Sequence, residues 1–358
     1  MTLKEKRYGV SYYQNEFGRS LIVKHPRLGS ATVSPHTEAL LILRDDTEFA
    51  VQPVARRLCK EYTHLDYQEV LTVLREEYGQ KMLYRLLQNY HSALVDKALE
   101  VHLFDPATLR ERLKMLLDGC YVISMDPLVK GHPAPLSLRM SRIHENNTSI
   151  GHGSGNRSLP LTQQIEEIKT CLAAVSGREN GRRLRVACLD DDCFSGETMH
   201  SAKERFAECG LSVEVFAAGI KVGRGEEFAS NFTVLGAVDY SPLRDAIDID
   251  VIDLRDFVVG YDGMGVFLPR QQQLGRVPCL LPFFAPSGDT LVCQGADEQF
   301  SLNMWKANKV HFSTLQERLG VHVRLSHMHP ESALYMRDAG FAARIPMLEL
   351  VESIMAEL

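Results

Sequence analysis

Three consecutive carboxylates, Asp190, Asp191 and Asp192, follow the apolar run 186-VACL-189, and Ser195-Gly196-Glu197-Thr198 then opens a helical pattern. An apolar run of this kind reads as a buried strand, so the acids stand at its carboxyl end, where open parallel sheets bind ligands. Two adjacent carboxylates can accept hydrogen bonds from vicinal sugar hydroxyls. The turn behind them offers free helix N-terminal N–H groups, hydroxyls at Ser195 and Thr198, and a close backbone approach at Gly196, which together suit a phosphate. A sugar phosphate satisfies both halves, and Mg2+ commonly accompanies such a ligand. A plainer reading stands beside it: acidic residues at a helix start cap the helix and complement its dipole.

Other constellations carry less. His327 and His329 are two residues apart with no third ligand near them in sequence, so surface or packing roles come ahead of a metal. The eight cysteines are scattered without a Cys-x-x-Cys pair and are read as reduced thiols. Glycines 223 and 225 lack the spacing of a dinucleotide fingerprint.

Positioning the acids requires a parallel sheet. Helix 162–176, strand 184–189, helix 196–209 and strand 211–220 alternate, which predicts helices on the faces of a parallel sheet. Helix 106–119 leads into an apolar run over 120–126, and a further strand covers 136–143. The polar, glycine-rich segment 144–160 cannot bury itself. Upstream, 20–23, 39–43 and 48–54 read as β-like runs, and 66–100 as a helical pair broken at Gly79. Downstream, 303–320 reads as a helix, 321–327 as a strand and 345–358 as an amphipathic helix.

Composition bounds the rest. The 358 residues are 45% hydrophobic and 24% charged with net charge −6, which leaves no basic footprint for nucleic acid. The opening MTLKEKRYGV has no apolar signal segment, and no run approaches the roughly 18 apolar residues of a membrane helix. A cytoplasmic protein engaging neither nucleic acid nor membrane is expected.

The segment 186-VACLDDDCFSGETM-199 resembles the ribose-5-phosphate signature of the type I phosphoribosyltransferases: four apolar residues, two acids, then a Thr/Ser-Gly-x-Thr turn. A second segment, 254-LRDFVVGYDGMGVFLPR-270, resembles the base-binding strand and following loop of the hypoxanthine-guanine members. The resemblance covers residues 117–271. It implies an α/β fold with a phosphoribosyltransferase-like parallel sheet flanked by helices over 106–275. An N-terminal α+β region (1–105) and a C-terminal α/β extension (276–358) would flank that core.

The resemblance also implies roles. Asp190 and Asp191 would be catalytic, gripping the ribose hydroxyls and, with Asp262, holding Mg2+. Ser195, Gly196, Glu197 and Thr198 would bind the 5-phosphate; Arg139, Arg270 and Lys130 the pyrophosphate; Lys221, Phe257 and Val258 the base. The polar segment 144–160 would close over the site. The implied reaction is Mg2+-dependent transfer from 5-phosphoribosyl 1-pyrophosphate to a nitrogenous, purine-like acceptor by a homodimer. Phe194 stands where the purine enzymes often carry a proton-transferring Asp, Glu197 where a neutral or basic residue is usual, and Met264 where an acid assists the metal. Those replacements keep open a second expectation, a non-catalytic regulator or sensor that binds the nucleotide or phosphoribosyl pyrophosphate. An interaction scaffold using 1–105 and 276–358 is the third.

Overall fold

The computed structural model describes residues 2–7, 10–14, 20–25, 29–94, 96–126, 136–145, 148–154, 159–178, 184–194, 196–223, 233–240, 247–271, 273–283 and 297–358. Within them the fold is α/β, with parallel sheets flanked by helices.

One six-stranded sheet runs in the order Thr2–Arg7 (β1), Val10–Gln14 (β2), Ser20–Lys24 (β3), Leu99–Phe104 (β6), Ala39–Arg44 (β5) and Asp248–Asp253 (β14). Its β1–β3 part is antiparallel, and β3, β6, β5 and β14 pair in parallel. A second sheet is wholly parallel, in the order Leu136–Ser137 (β8), Tyr121–Ser124 (β7), Val186–Cys193 (β11), Val215–Lys221 (β12), Val234–Asp239 (β13) and Gly29–Ser30 (β4). A small third sheet joins the hairpin Met140–Glu145 (β9) and Thr148–Ser154 (β10) to the hairpin Met264–Leu268 (β15) and Gln273–Val277 (β16).

The two large sheets sandwich helix Pro106–Leu116 (α4). Leu40 and Ile42 on one face of β5 share a core with Leu109 and Leu113 of α4 and with Ala187, Leu189, Ala217 and Val238 of the wholly parallel sheet. On its other face β5 turns Ala39, Leu41 and Leu43 into a core with helices Thr47–Glu61 (α1), Tyr67–Leu74 (α2) and Leu83–Ala93 (α3). A strand buried on both sides needs a continuous apolar run, and 39-ALLIL-43 supplies one with every side chain at 0% exposure. At about 1.5–3 kcal/mol for each large aliphatic side chain, this strand is a principal anchor between the layers. Leu161–Arg178 (α5) and Glu197–Glu208 (α6) cover the far face of the parallel sheet through Ile165, Ile168, Met199 and Phe206. Asp297–Leu319 (α7), Pro330–Asp338 (α8) and Met347–Glu357 (α9) complete the chain.

Several expectations are corrected. Residues 48–54 lie in α1, not a strand, because Ala50, Val51, Val54, Ala55 and Leu58 form a buried helical stripe despite Pro53. Gly79 does not break the helical pair: a π-helical stretch, Arg75–Met82, carries the chain from α2 into α3. There a Cβ would stand 2.5 Å from Thr47 Oγ1, so the glycine serves close packing against α1. Residues 321–327 form an isolated bridge at Arg324 and a 3-10 turn, Leu325–His327, and no strand forms within 297–358. Strand β14 lies within the middle segment of the chain, yet pairs with β5 of the first hundred residues.

Candidate active site

In the parallel sheet the chain leaves β7 toward β8 on one side and leaves β11, through α6, toward β12 on the other. The strand order β8-β7-β11-β12-β13 therefore has its switch point between β7 and β11, the place where doubly wound sheets bind ligands beyond their carboxyl ends. Asp126 follows β7, and Asp190, Asp191 and Asp192 lie in the last four residues of β11, which ends at Cys193. The other large sheet brings a second carboxyl edge to the same place: Arg44 ends β5, Asp253 ends β14, and Arg255 and Asp256 lie in the 3-10 turn Leu254–Asp256 that follows. Both edges line one cavity of about 690 Å³, together with Arg139, Arg142, Phe194, Gly196, Glu197 and Thr198.

A buried ion network ties the edges together. Arg44 donates from Nε and Nη2 to the two oxygens of Asp253 at 2.8 and 2.9 Å. Its Nη1 faces Asp192 at 3.0 Å and Asp191. Arg255 meets Asp253 at 2.8 Å, Asp262 at 3.5 Å and Asp126 at 3.6 Å. Behind them Tyr78 Oη of the π-helical stretch donates to Asp46, whose carboxylate also accepts the Arg255 backbone N–H at 3.0 Å.

Carboxylates outnumber cations here, and their acidities record it. Burial, reinforced by Asp191 and Asp192, pushes the Asp190 carboxyl well up. Burial and then Asp191 bring Asp126 and Asp192 to about 7; burial and Asp253 do the same for Asp256. Asp191 is the exception: burial opposes its charge, but Arg44 and Arg255 outweigh that and hold it below the usual range.

A pH dependence follows. Asp126, Asp192 and Asp256 ionise near 4 when unfolded and near 7 when folded, so the folded chain holds more protons between those values. Their contribution is fully present below about 4 and is lost as pH rises through about 7. Without added divalent ion, thermal unfolding at pH 8 is expected to come earlier than at pH 6, with Mg2+ restoring part of the loss at pH 8. A midpoint that rises from pH 6 to pH 8 would contradict this.

Part of the expected phosphate-binding turn lies among the described residues. Gly196 takes the left-handed conformation at φ 77° as the N-cap of α6, and no side-chain cap is formed there among the described residues. Thr198 Oγ1 lies 3.1 Å from His152 Nε2, so strand β10 packs against the first turn of α6. Arg139 is exposed and lines the cavity, its backbone N–H held by Gln164 at 2.8 Å. Ser195 and Lys130 lie outside the described residues.

The expected base-binding group is not assembled. After Asp253 the chain makes the 3-10 turn instead of continuing as a strand, which turns Phe257 into the helical core between Tyr90 and Phe300. Val258 is fully buried beside it, and neither residue lines the cavity. Lys221 ends β12 at the right edge of the sheet but pairs with Asp239 at 3.2 Å, outside the cavity wall. Arg270 is exposed in the turn between β15 and β16; Arg276 of β16 lines the cavity instead. The aromatic side chains that do line it are Phe49, over which Arg255 stacks at 5.0 Å, Tyr261, and Phe194, which is 45% exposed.

Asp262 lines the cavity but pairs with Arg255 and Arg276, each at 3.5 Å. Gly263 next to it has φ +125°, and an added Cβ would stand 1.9 Å from the Val277 carbonyl oxygen. Such backbone costs a non-glycine residue about 1–3 kcal/mol before any clash. Gly263→Ala is expected to lower the thermal unfolding midpoint by several degrees; an unchanged midpoint would mean that the Asp262–Met264 turn adjusts freely.

Sequence reasoning missed Arg44, Asp126, Asp253, Arg255, Asp256, Arg276, His329 and Glu331 as cavity residues. A signal was present: 39-ALLILRDD-46 and 249-IDVIDLRD-256 repeat the pattern of 186-VACLDDD-192, an apolar strand ending in charge. No family model matches the chain, and no curated protein matches it.

Proposed function

We propose that the chain is a phosphoribosyltransferase-like enzyme, transferring the phosphoribosyl group of 5-phosphoribosyl 1-pyrophosphate to a nitrogenous, purine-like acceptor with Mg2+. The observation that carries this reading is the Asp190–Asp191 pair at the β7/β11 switch point, one turn ahead of the α6 N-terminus at Gly196, in a cavity large enough for a nucleotide. Asp190 and Asp191 would accept the ribose hydroxyls, the first turn of α6 with Thr198 would hold the 5-phosphate, and Arg139 with Arg142 would face the departing pyrophosphate. The excess of hard carboxylate donors fits Mg2+, which Asp190 and Asp191 would hold and which would neutralise charge on the leaving group.

The C1–O bond to pyrophosphate breaks as the acceptor nitrogen forms its bond to C1, and the acceptor's N–H proton must leave. Phe194 cannot take it. Asp192, two residues earlier, lines the cavity with its carboxyl near 7 and is the proton acceptor we assign. The exposed Phe194 ring favours one further reading, a binding regulator whose aromatic lid replaced the catalytic acid.

The two readings separate on turnover. Incubated with labelled 5-phosphoribosyl 1-pyrophosphate, Mg2+ and a panel of nitrogenous bases, the enzyme would release pyrophosphate in step with one base. Tight binding without release for any base would leave the regulator.

A further inference from the structure

We infer that Asp262, His329 and Glu331 form a second cation site, held by the protein alone and suited to a first-row transition dication such as Mn2+ or Zn2+. One ligand atom from each residue lies within 4.8 Å of the others, and all three residues line the 690 Å³ cavity, so an ion can reach them.

The elements fix this convergence. Asp262 leaves the turn after Tyr261 and is held by the constrained Gly263 behind it. His329 precedes α8 and Glu331 lies in its first turn, with Pro330 between them at the first helical position. The His329 backbone N–H donates to Gly260 O at 2.7 Å, and Ser332 Oγ donates to Asp262 O at 3.2 Å, so the start of α8 is fastened to the Asp262 turn on both sides.

Two buried polar atoms of this cluster make no hydrogen bond among the described residues. Asp262 is 7% exposed, lines the cavity, and its Oδ1 accepts no hydrogen bond; the nearest guanidinium nitrogen, Arg276 Nε, stays at 3.5 Å. His329 Nδ1 is likewise buried without a hydrogen bond. A buried carboxylate oxygen and a buried imidazole nitrogen without hydrogen bonds are each costly unless something occupies them.

Arg276 fits as an orienting neighbour. Its Nη1 is anchored on the Gly263 carbonyl at 2.9 Å and its Nε donates to Glu331 Oε2 at 3.1 Å, which fixes the Glu331 carboxylate beside Asp262. The positive charges of Arg276 and Arg255 oppose a cation, and the carboxylates of Asp262 and Glu331 stand against them. One imidazole with two carboxylates favours a transition metal over Mg2+, which prefers an all-oxygen shell.

This site needs neither a sugar phosphate nor the transferase reading, and its test uses neither. The full chain is titrated with Mn2+ alone and read by electron paramagnetic resonance and spin-echo modulation. The expected result is a bound Mn2+ carrying nitrogen modulation from an imidazole, lost in His329→Gln and retained in Asp190→Asn. Glu331→Gln is expected to weaken Mn2+ binding and serves if His329→Gln does not fold. Wild-type protein that shows no nitrogen modulation at saturating Mn2+, or modulation that survives His329→Gln, would overturn the assignment.

Discussion

Asp190→Asn is expected to remove phosphoribosyl transfer while leaving the thermal midpoint at or above that of the wild type. Hydrogen bonds to a charged group contribute about 1.5–3 kcal/mol each, so losing two of them to the ribose hydroxyls costs roughly two to four orders of magnitude in rate. Stability goes the other way because burial and its acidic neighbours disfavour the Asp190 charge; no Arg or Lys pairs with it among the described residues. An amide relieves that repulsion at similar size. Pyrophosphate release and a thermal melt on the same variant check both halves. Retained transfer would remove Asp190 from the sugar grip.

Arg44→Leu is expected to fail in the opposite order, losing stability first. The guanidinium is 6% exposed and faces Asp191, Asp192 and Asp253. Deleting one partner of a buried ion pair typically costs about 3–5 kcal/mol, because charge is left uncompensated. The variant should melt well below the wild type, and more so at pH 8 than at pH 6, where the stranded carboxylates can protonate. Arg44→Lys should recover little, since a lysine cannot make the two-nitrogen bond to Asp253. A Leu variant as stable as the wild type would mean that the carboxylates find other counterions.

These two residues mark what the sequence made legible. Asp190 stood out because an apolar run ended in acids and a Gly-led helical pattern followed; β11 and α6 form within a few residues of where that pattern placed them. Arg44 carries no such mark, although the run before it reads as β-like. Its partners Asp191 and Asp253 lie 147 and 209 residues away, so no local spacing joins them. Strand β6 was hidden for a related reason. Glu100 and His102 look like surface residues, but Lys24, Ser34, Thr37 and Tyr240 hold them in a buried network.

The aromatic segment at Phe257 misled in the opposite sense. Phe-Val-Val reads as strand wherever it occurs, and only the packing of Tyr90 and Phe300 shows that it belongs to the helical core. The cation cluster could not be found by spacing. Asp262 and His329 are 67 residues apart, and the pair His327–His329 is divided by the fold: His327 bonds Glu61 at 2.8 Å while His329 lines the cavity.

The most direct test of the central claim is equilibrium binding of labelled 5-phosphoribosyl 1-pyrophosphate to the full chain in Mg2+. One site per chain is expected, competed by ribose 5-phosphate and weakened in Asp190→Asn. No saturable binding in the wild type would contradict the claim that the β7/β11 switch point is a phosphoribosyl site.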